Sequence, residues 1–179
     1  MSELILKSRQ YEMFDCIIVT KMLMLHLLKL KIFRGACMAN TVFKATVRWD
    51  GQGVQCTGDI RGKKVIIDEP EELGGTDNGP NPVEYVLAAL GGCLNILITS
   101  FAGKYQVEIN DVTINVEGDL DPDGFMGKNP AVRPGFQQIR YRIKIDSSSP
   151  EVNIQRLLEH IESICPVKDT LSGVPVVRI

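Results

Sequence analysis

The feature that most constrains the fold is one long apolar segment that follows Asn81 and Pro82. Asn81 is a good N-cap residue and proline suits the first helical position, so a helix is predicted from Pro82 to Tyr105. Apolar residues occur on all its sides, namely Val86-Leu-Ala-Ala-Leu90, Leu94, Ile96, Leu97, Ile98 and Phe101. A helix that is apolar all round is buried. In a chain of 179 residues, we expect a sheet and a second subunit to cover it.

Three strands are predicted before this helix. Residues 41–49 alternate between a polar face that carries Arg48 and an apolar face that carries Val47 and Trp49, which we expect to point inward. Short turns join this segment to strands at 54–59 and 65–68. The three strands are predicted to form an antiparallel meander.

The segment after the helix is predicted to add two longer strands, a second helix and a closing strand. The longer strands, 107–120 and 136–146, flank a loop at 121–135 that is long enough to suggest a functional or interface role. An amphipathic helix starts at 147–150 and breaks at Cys165-Pro166, where a shorter helical turn begins, and residues 174–179 close the sheet. The predicted order is βββ-α-ββ-α-β, an α+β fold of antiparallel sheets without a parallel βαβ unit.

The first 37 residues differ from the rest of the chain. Lysines interrupt their leucine-rich stretch, so it is not predicted to span a membrane, and early acidic residues disfavour a signal peptide. Met38 directly precedes the first well-patterned strand. We therefore expect residues 1–37 to be a weakly structured extension, with Met38 as the biological start, and residues 38–179 to form the domain.

Composition excludes several classes of function. The net charge of −2 argues against nucleic acid or an anionic membrane as the main partner. Five cysteines without a CxxC pair are too few for a secreted disulfide scaffold. The chain also has only two histidines, so a structural zinc site and a His-activated catalytic triad are both poorly supplied with ligands and bases. This usage indicates a reducing, cytoplasmic location.

Two of the cysteines, Cys93 and Cys165, have settings that suggest chemistry. Cys93 follows Gly91-Gly92 inside the predicted helix, and each glycine costs about 1 kcal/mol there relative to alanine. Close approach of another element or of a substrate would offset that cost. Cys165 precedes Pro166 and is a plausible N-cap, where backbone N–H groups favour a thiolate. Each could equally be an inert cysteine, but as a pair they could carry a disulfide cycle.

The motif around Cys93 resembles the OsmC/Ohr family. The resemblance rests on residues 74–93 (GGTDNGPNPVEYVLAALGGC) and on Cys165-Pro-Val167 followed by Leu171; 121–127 (DPDGFMG) and 133–136 (RPGF) also resemble one OsmC-like branch. It covers residues 41–179. It implies an α+β fold of two intertwined subunits, a homodimer with two active sites at the interface.

The resemblance also implies an activity, thiol-dependent reduction of organic hydroperoxides. Cys93 would attack the peroxide oxygen and become a sulfenic acid, and Cys165 would resolve it as a disulfide. An external dithiol would then reset the pair, with no bound cofactor and no metal.

Two further candidates, Arg48 and Glu84, follow from how peroxidatic members of the family activate their thiolate. These members use an arginine near the first hairpin and a glutamate ten residues before the attacking cysteine. Here Val83 occupies the glutamate position, and Glu84, nine residues before Cys93, lies about 180° round the helix. Trp49 occupies the arginine position, and its neighbour Arg48 lies on the polar face. Arg48 and Glu84 are thus either activating residues or solvated surface charges.

Three functions therefore stay open. The first is a peroxidase for apolar organic or fatty-acid hydroperoxides. The second is a non-catalytic redox-sensing or small-molecule-binding dimer, which Val83 and Trp49 at the activator positions favour, although Arg61 or Arg133 could substitute. The third is a structural interaction protein with inert thiols.

Overall fold

The computed structural model describes residues 40–179 of the chain. The predicted extension, residues 1–37, and the expected start at Met38 lie outside the described residues. The boundary between extension and domain therefore stays a prediction.

The first sheet is an antiparallel meander, as predicted. It consists of β1 (Thr46–Trp49), β2 (Cys56–Ile60) and β3 (Lys63–Ile67), in that order. Arg61 and Gly62 form the two-residue turn between β2 and β3, with φ of 56° and 80°. Positive φ at both positions is what a type I′ hairpin requires, and this turn fixes the register of the second pair.

The first strand differs from its prediction in length and in burial. It begins at Thr46 rather than at residue 41, because its ladder with β2 ends at Thr46↔Asp59 and the chain turns just after Ile60. Its apolar face, expected to point inward, is exposed, and Trp49 keeps 63% of its surface accessible. Within the described chain no other element covers this face of β1.

The central helix, α1 (Pro82–Phe101), begins where predicted. Asn81 accepts a hydrogen bond from the Glu84 backbone N–H, and the Glu84 carboxylate accepts one from the Asn81 N–H, a complete capping box. The last predicted turn, Ala102–Tyr105, is a 3₁₀ helix instead, a common form of helix end.

Helix α1 and the 3₁₀ turn that follows it form one helical segment, Pro82–Tyr105. In the described part of the chain it is the one helix that is long and apolar enough to cross a membrane. Core helices of soluble proteins pass the same test. Here Leu90, Leu94 and Ile98 are completely buried, and α1 contacts β4 (Asp111–Asp119) along one side. One side of this segment therefore packs in the core, and 22% of its most apolar window is buried in the described chain.

The second sheet corrects one prediction. Strand β4 pairs antiparallel with β5 (Gln138–Asp146) over nine residues, but β6 (Val176–Arg178) runs parallel to β5. The predicted all-antiparallel arrangement without a parallel unit is therefore wrong. The two helices between β5 and β6 form a crossover long enough to return the chain in the direction of β5, as parallel pairing requires.

Three helices shorter than α1 complete the segment that follows it. Helix α2 (Pro122–Phe125) lies inside the predicted loop 121–135, helix α3 (Glu151–Ile164) is the predicted amphipathic helix, and α4 (Pro166–Thr170) is the predicted turn after the break. Helices α3 and α4 both pack on α1. The core lies between these helices and the second sheet, and it includes Leu157, Ile161, Ile139 and Tyr141.

Candidate functional site

The structure brings the two predicted cysteines together. Cys93 lies midway along α1 and Cys165 lies at the junction of α3 and α4, yet their Sγ atoms are 3.3 Å apart. Both are free thiols. A disulfide has an S–S length of about 2.05 Å, so once an oxidant removes two electrons and two protons from the pair, the sulfurs need to approach by only about 1.3 Å. The two cysteines are 72 positions apart in the sequence, and the packing of α4 on α1 brings their side chains together.

Cys165 is held by the start of α4. It is the N-cap residue of that helix, and the backbone N–H of Lys168 donates a hydrogen bond to its sulfur at 3.4 Å. This confirms the N-cap position predicted from Pro166. The residue is 2% exposed, so solvent reaches its sulfur poorly.

Cys93 is half-buried and less favourably placed for ionisation. Burial raises the pKa of the Cys93 thiol above its ordinary value, the backbone N–H of Val167 acts in the opposite direction, and the neighbouring Cys165 raises the pKa again. The thiolate is the nucleophilic form of cysteine. Within one described chain, Cys93 is therefore a positioned thiol but not an activated one.

This environment predicts how Cys93 alkylation depends on pH. Below the thiol pKa the thiolate fraction rises about tenfold per pH unit, so the alkylation rate should still be climbing at pH 9 instead of levelling off near neutrality. The measurement is iodoacetamide labelling of the Cys93 peptide, followed by mass spectrometry from pH 6 to 10. A plateau below pH 7.5 in the assembled protein would show that a group outside the described chain activates the thiol.

The glycines before Cys93 have two different surroundings. A Cβ on Gly91 would lie 3.2 Å from Val116 of β4, so this glycine allows the close approach of a strand, as predicted. A Cβ on Gly92 would contact nothing within 4 Å. Gly92 faces a groove of about 800 Å³ between α1 and β4, which Ile96, Ile114 and Val116 also line. The groove is mostly apolar, and its lining includes neither Cys93 nor Cys165.

Arg48 lies on the polar face of the first sheet, as its alternation predicted. With Thr57, Asp59 and Lys64 it lines a shallow polar depression on that face. Asp59 in the same depression is paired with Lys64 at 2.6 Å. Within residues 40–179 no hydrogen bond or ion pair joins Arg48 to either thiol of the site. Its role as an activating residue therefore stays a prediction.

Glu84 is engaged at the start of α1. Its carboxylate caps the Asn81 N–H at 2.8 Å and borders the apolar groove near Leu87. This position agrees with the helical spacing, which turns Glu84 away from Cys93. Its structural role as a helix cap is clear, and its role in thiol activation stays a prediction.

Sequence reasoning missed a charged cluster behind Cys165. Glu162 of α3 pairs with Lys168 of α4 at 3.8 Å and with Arg178 of β6 at 3.2 Å. Lys168 also lies 5.9 Å from the ring centroid of buried Tyr141. The one signal in the sequence was the equal spacing of Glu162 and Lys168, each three residues from Cys165.

A buried carboxylate, Asp68, was also missed. Its Oδ2 accepts hydrogen bonds from the Thr76 N–H at 3.0 Å, the Thr76 hydroxyl at 2.7 Å and the Asn78 N–H at 3.1 Å. These bonds, led by the Thr76 hydroxyl, lower the pKa of Asp68 to about 2. The loop that they fold leads directly to Asn81, so Asp68 orders the entry to the helix that carries Cys93.

No metal site accompanies these groups in the part of the chain that the structure describes. Within residues 40–179 there is no cluster of three or more His, Cys, Asp or Glu side chains that could hold a metal ion. The chemistry that this site can offer without further groups is that of its two thiols.

Comparison with known proteins connects this geometry to a family. The sequence model of the OsmC-like protein family matches residues 75–179, which are more than half of the chain and include both thiols. The chain belongs to the OsmC-like family. The resemblance seen in the helix motif is confirmed, and the matched segment of this OsmC-like chain contains Glu84 but begins after Arg48.

Individual relatives agree with this assignment. A hydroperoxide reductase from Mycoplasma pneumoniae is 25% identical over 107 residues, which cover 58% of this chain and 70% of that protein. The crystal structure of an OsmC-like protein from Mycoplasma pneumoniae superposes with a TM-score of 0.66 at 18% identity, covering 79% of this chain and 98% of its own.

A third relative is an organic hydroperoxide resistance protein from Elizabethkingia anophelis. It superposes with a TM-score of 0.58 at 16% identity and covers 78% of this chain and 96% of its own. At these identities the solved structures show a shared fold. The predicted α+β, OsmC-like fold class is thereby confirmed.

Proposed function

We propose that this OsmC-like protein is a thiol-dependent peroxidase that reduces organic hydroperoxides through Cys93 and Cys165. The observation that carries the proposal is the 3.3 Å approach of two free thiols from separate helices, one half-buried and one fully buried. The names of its relatives, a hydroperoxide reductase and an organic hydroperoxide resistance protein, support the same chemistry. The expected setting is oxidative stress defence in the cytoplasm.

The proposed cycle balances with one hydroperoxide and one external dithiol. The Cys93 thiolate attacks the terminal peroxide oxygen, the O–O bond breaks, and the alkoxide takes a proton and leaves as the alcohol. The Cys165 thiol then displaces hydroxide from the Cys93 sulfenic acid, and a disulfide and water form. A dithiol such as dihydrolipoamide reduces the disulfide and is itself oxidised.

The proposal includes a homodimer with the sites at its interface. Two exposed apolar surfaces support it, namely the face of β1 with Val47 and Trp49 and the groove side of α1, where Ile96 is 65% exposed. Contiguous exposed apolar surface of this kind marks interaction sites. A partner that covers α1 would also complete the predicted cover of that helix.

The Ile96→Glu variant tests this dimer. A charge on the exposed face of α1 would have to be desolvated in an interface, so we expect the variant to elute as a monomer near 20 kDa and the wild type at twice that mass. Size-exclusion chromatography with light scattering measures both. Glu159→Gln, an exposed change on α3, should leave the wild-type mass unchanged. A dimeric Ile96→Glu protein would contradict this interface.

One observation favours a second function, a redox-sensing or small-molecule-binding dimer without efficient turnover. Burial raises the Cys93 pKa, Glu84 caps the start of α1, and Arg48 lines the polar depression of the first sheet without a bond to either thiol in the described chain. A sensor needs only slow, stoichiometric oxidation of the pair, which this less ionised thiol allows.

Turnover separates the two functions. Wild-type protein is mixed with cumene hydroperoxide and dihydrolipoamide, and peroxide consumption is followed over many equivalents of enzyme. Sustained consumption above the protein-free rate supports the peroxidase. A single equivalent consumed, with a Cys93–Cys165 disulfide found by mass spectrometry, supports the sensor, and two thiols that stay free exclude both the peroxidase and the redox sensor.

A further inference from the structure

An ion pair spans the helix break at which Cys165 lies. Glu162 is three residues before Cys165 on α3, Lys168 is three residues after it on α4, and their side chains meet at 3.8 Å. Cys165 itself has an extended backbone, with φ of −71° and ψ of 109°, so the two helices change direction at this residue. The Glu162–Lys168 pair therefore bridges the bend whose vertex is Cys165.

The Glu162 carboxylate is shared with a third element. Its second oxygen lies 3.2 Å from Arg178 on β6, the strand that pairs parallel with β5. The Glu162 side chain is 21% exposed, so both contacts are shielded from solvent on one side. Burial, and after it the nearby Glu162 carboxylate, raises the pKa of Tyr141 of β5 to about 12, which keeps that neighbouring hydroxyl neutral. One carboxylate thus links α3, α4 and β6 beside the buried thiol.

Helix α4 depends on such contacts for its position. It has five residues, and a helix this short does not hold its conformation without tertiary support. The same helix supplies the Lys168 N–H that contacts Cys165 Sγ and the Val167 N–H that favours the Cys93 thiolate. A displacement of α4 would therefore move the Cys165 sulfur and both backbone donors together.

We propose that Glu162 is a positioning residue for the resolving step, because its links to Lys168 and Arg178 hold α4 so that the Cys165 sulfur faces Cys93. The inference rests on the proposed peroxidase function and adds a residue to it. In the described chain Glu162 makes no hydrogen bond with Cys93 and does not line the apolar groove between α1 and β4. It acts chiefly on the second step of the cycle, in which Cys165 must reach Cys93, and it influences the first step only through the Val167 N–H.

The competing fate of the sulfenic acid gives a sensitive readout. Cys93 sulfenic acid either reacts with the Cys165 thiol to give a disulfide and water, or it reacts with a second hydroperoxide to give sulfinic acid and an alcohol. The ratio of sulfinic acid to disulfide at a fixed peroxide concentration measures how fast Cys165 resolves. A variant that is merely less stable would not change this ratio while folded.

The test is Glu162→Gln, which keeps the shape of the side chain and removes its charge. In quenched-flow experiments with cumene hydroperoxide and mass spectrometry, we expect Cys93 oxidation within about twofold of wild type and resolution slower by about tenfold. Sulfinic acid should rise in the same proportion. Lys168→Met, which removes the other side of the bridge, should reproduce the effect, and Glu159→Gln on the exposed side of α3 should not.

A second oxidant separates failure of this inference from failure of the proposed function. Diamide converts two thiols into a disulfide and is itself reduced to the hydrazine, so it closes the Cys93–Cys165 bond without peroxide chemistry. Slower closure in Glu162→Gln and Lys168→Met supports the positioning role even where wild-type protein does not reduce peroxide. Wild-type rates of closure with both oxidants in either folded variant would overturn the inference.

Discussion

A Cys93→Ser variant is expected to reduce cumene hydroperoxide at no more than about one hundredth of the wild-type rate. Serine keeps the size of the side chain on α1 but replaces the nucleophilic sulfur with a hydroxyl that is not ionised at neutral pH. In the described chain the second thiol, Cys165, is buried and directed at Cys93, so it cannot replace Cys93 as the attacking group. The measurement is steady-state peroxide consumption with dihydrolipoamide as the reductant.

Two companion variants make this result specific. Cys56→Ser, at the third cysteine of the described chain, lies on β2 away from the thiol pair and should keep wild-type turnover. Cys165→Ser should consume about one equivalent of peroxide to form the Cys93 sulfenic acid, or about two where that acid is oxidised further to sulfinic acid, and then stop. A Cys93→Ser protein that turns over like wild type would remove the peroxidase proposal altogether.

The second large effect is expected at Asp68. Asp68→Asn replaces the charged carboxylate, whose Oδ2 accepts three hydrogen bonds from Thr76 and Asn78, with a neutral amide, whose oxygen is a weaker acceptor for the same donors. The loop before α1 should then loosen, and we expect the Tm to fall by roughly 5 °C or more. Differential scanning calorimetry at pH 7 measures the change. Asp77→Asn in the same loop, where asparagine tolerates the positive φ of 54°, should change the Tm little.

The same carboxylate predicts the acid stability of the protein. The folded-state pKa of Asp68 is about 2 and its unfolded value is near 4, so the folded state favours the charged form. This stabilisation is complete above about pH 5 and is lost as the pH falls through the folded-state pKa. Wild-type stability should therefore decline between pH 5 and pH 2. Asp68→Asn should show a shallower decline, and an equal slope for the two proteins would contradict the assignment.

Much of the fold followed from local sequence signals. Asn81-Pro82 marked the start of α1, and Cys165-Pro166 marked the break between α3 and α4. These features depend on residues close together in the chain, whose propensities act directly. The alternation of β1 also placed Arg48 on the polar face, although the burial of the opposite face was wrong, because burial depends on what covers a strand.

The parts that could not be predicted depend on distant residues. The parallel pairing of β6 depends on where two helices return the chain, and a strand of three residues has no pattern that reveals its direction. The Glu162 and Asp68 contacts join groups whose partners lie on separate elements or in an irregular loop. The distance between the two thiols likewise follows from helix packing, and the family resemblance, not periodicity, paired them.

The unequal burial of the two cysteines has a consequence for how an external dithiol would reduce their disulfide. In a Cys93–Cys165 disulfide, an incoming reductant should reach the sulfur of the half-buried Cys93 more readily than that of Cys165, a residue that is 2% exposed. The mixed disulfide then forms on Cys93, and Cys165 departs as the leaving group toward the Lys168 N–H that stabilises its negative charge. The position of Cys165 at the bend between α3 and α4 thus sets the direction of thiol exchange: the reductant attacks the Cys93 sulfur, and the Cys165 sulfur is the leaving group.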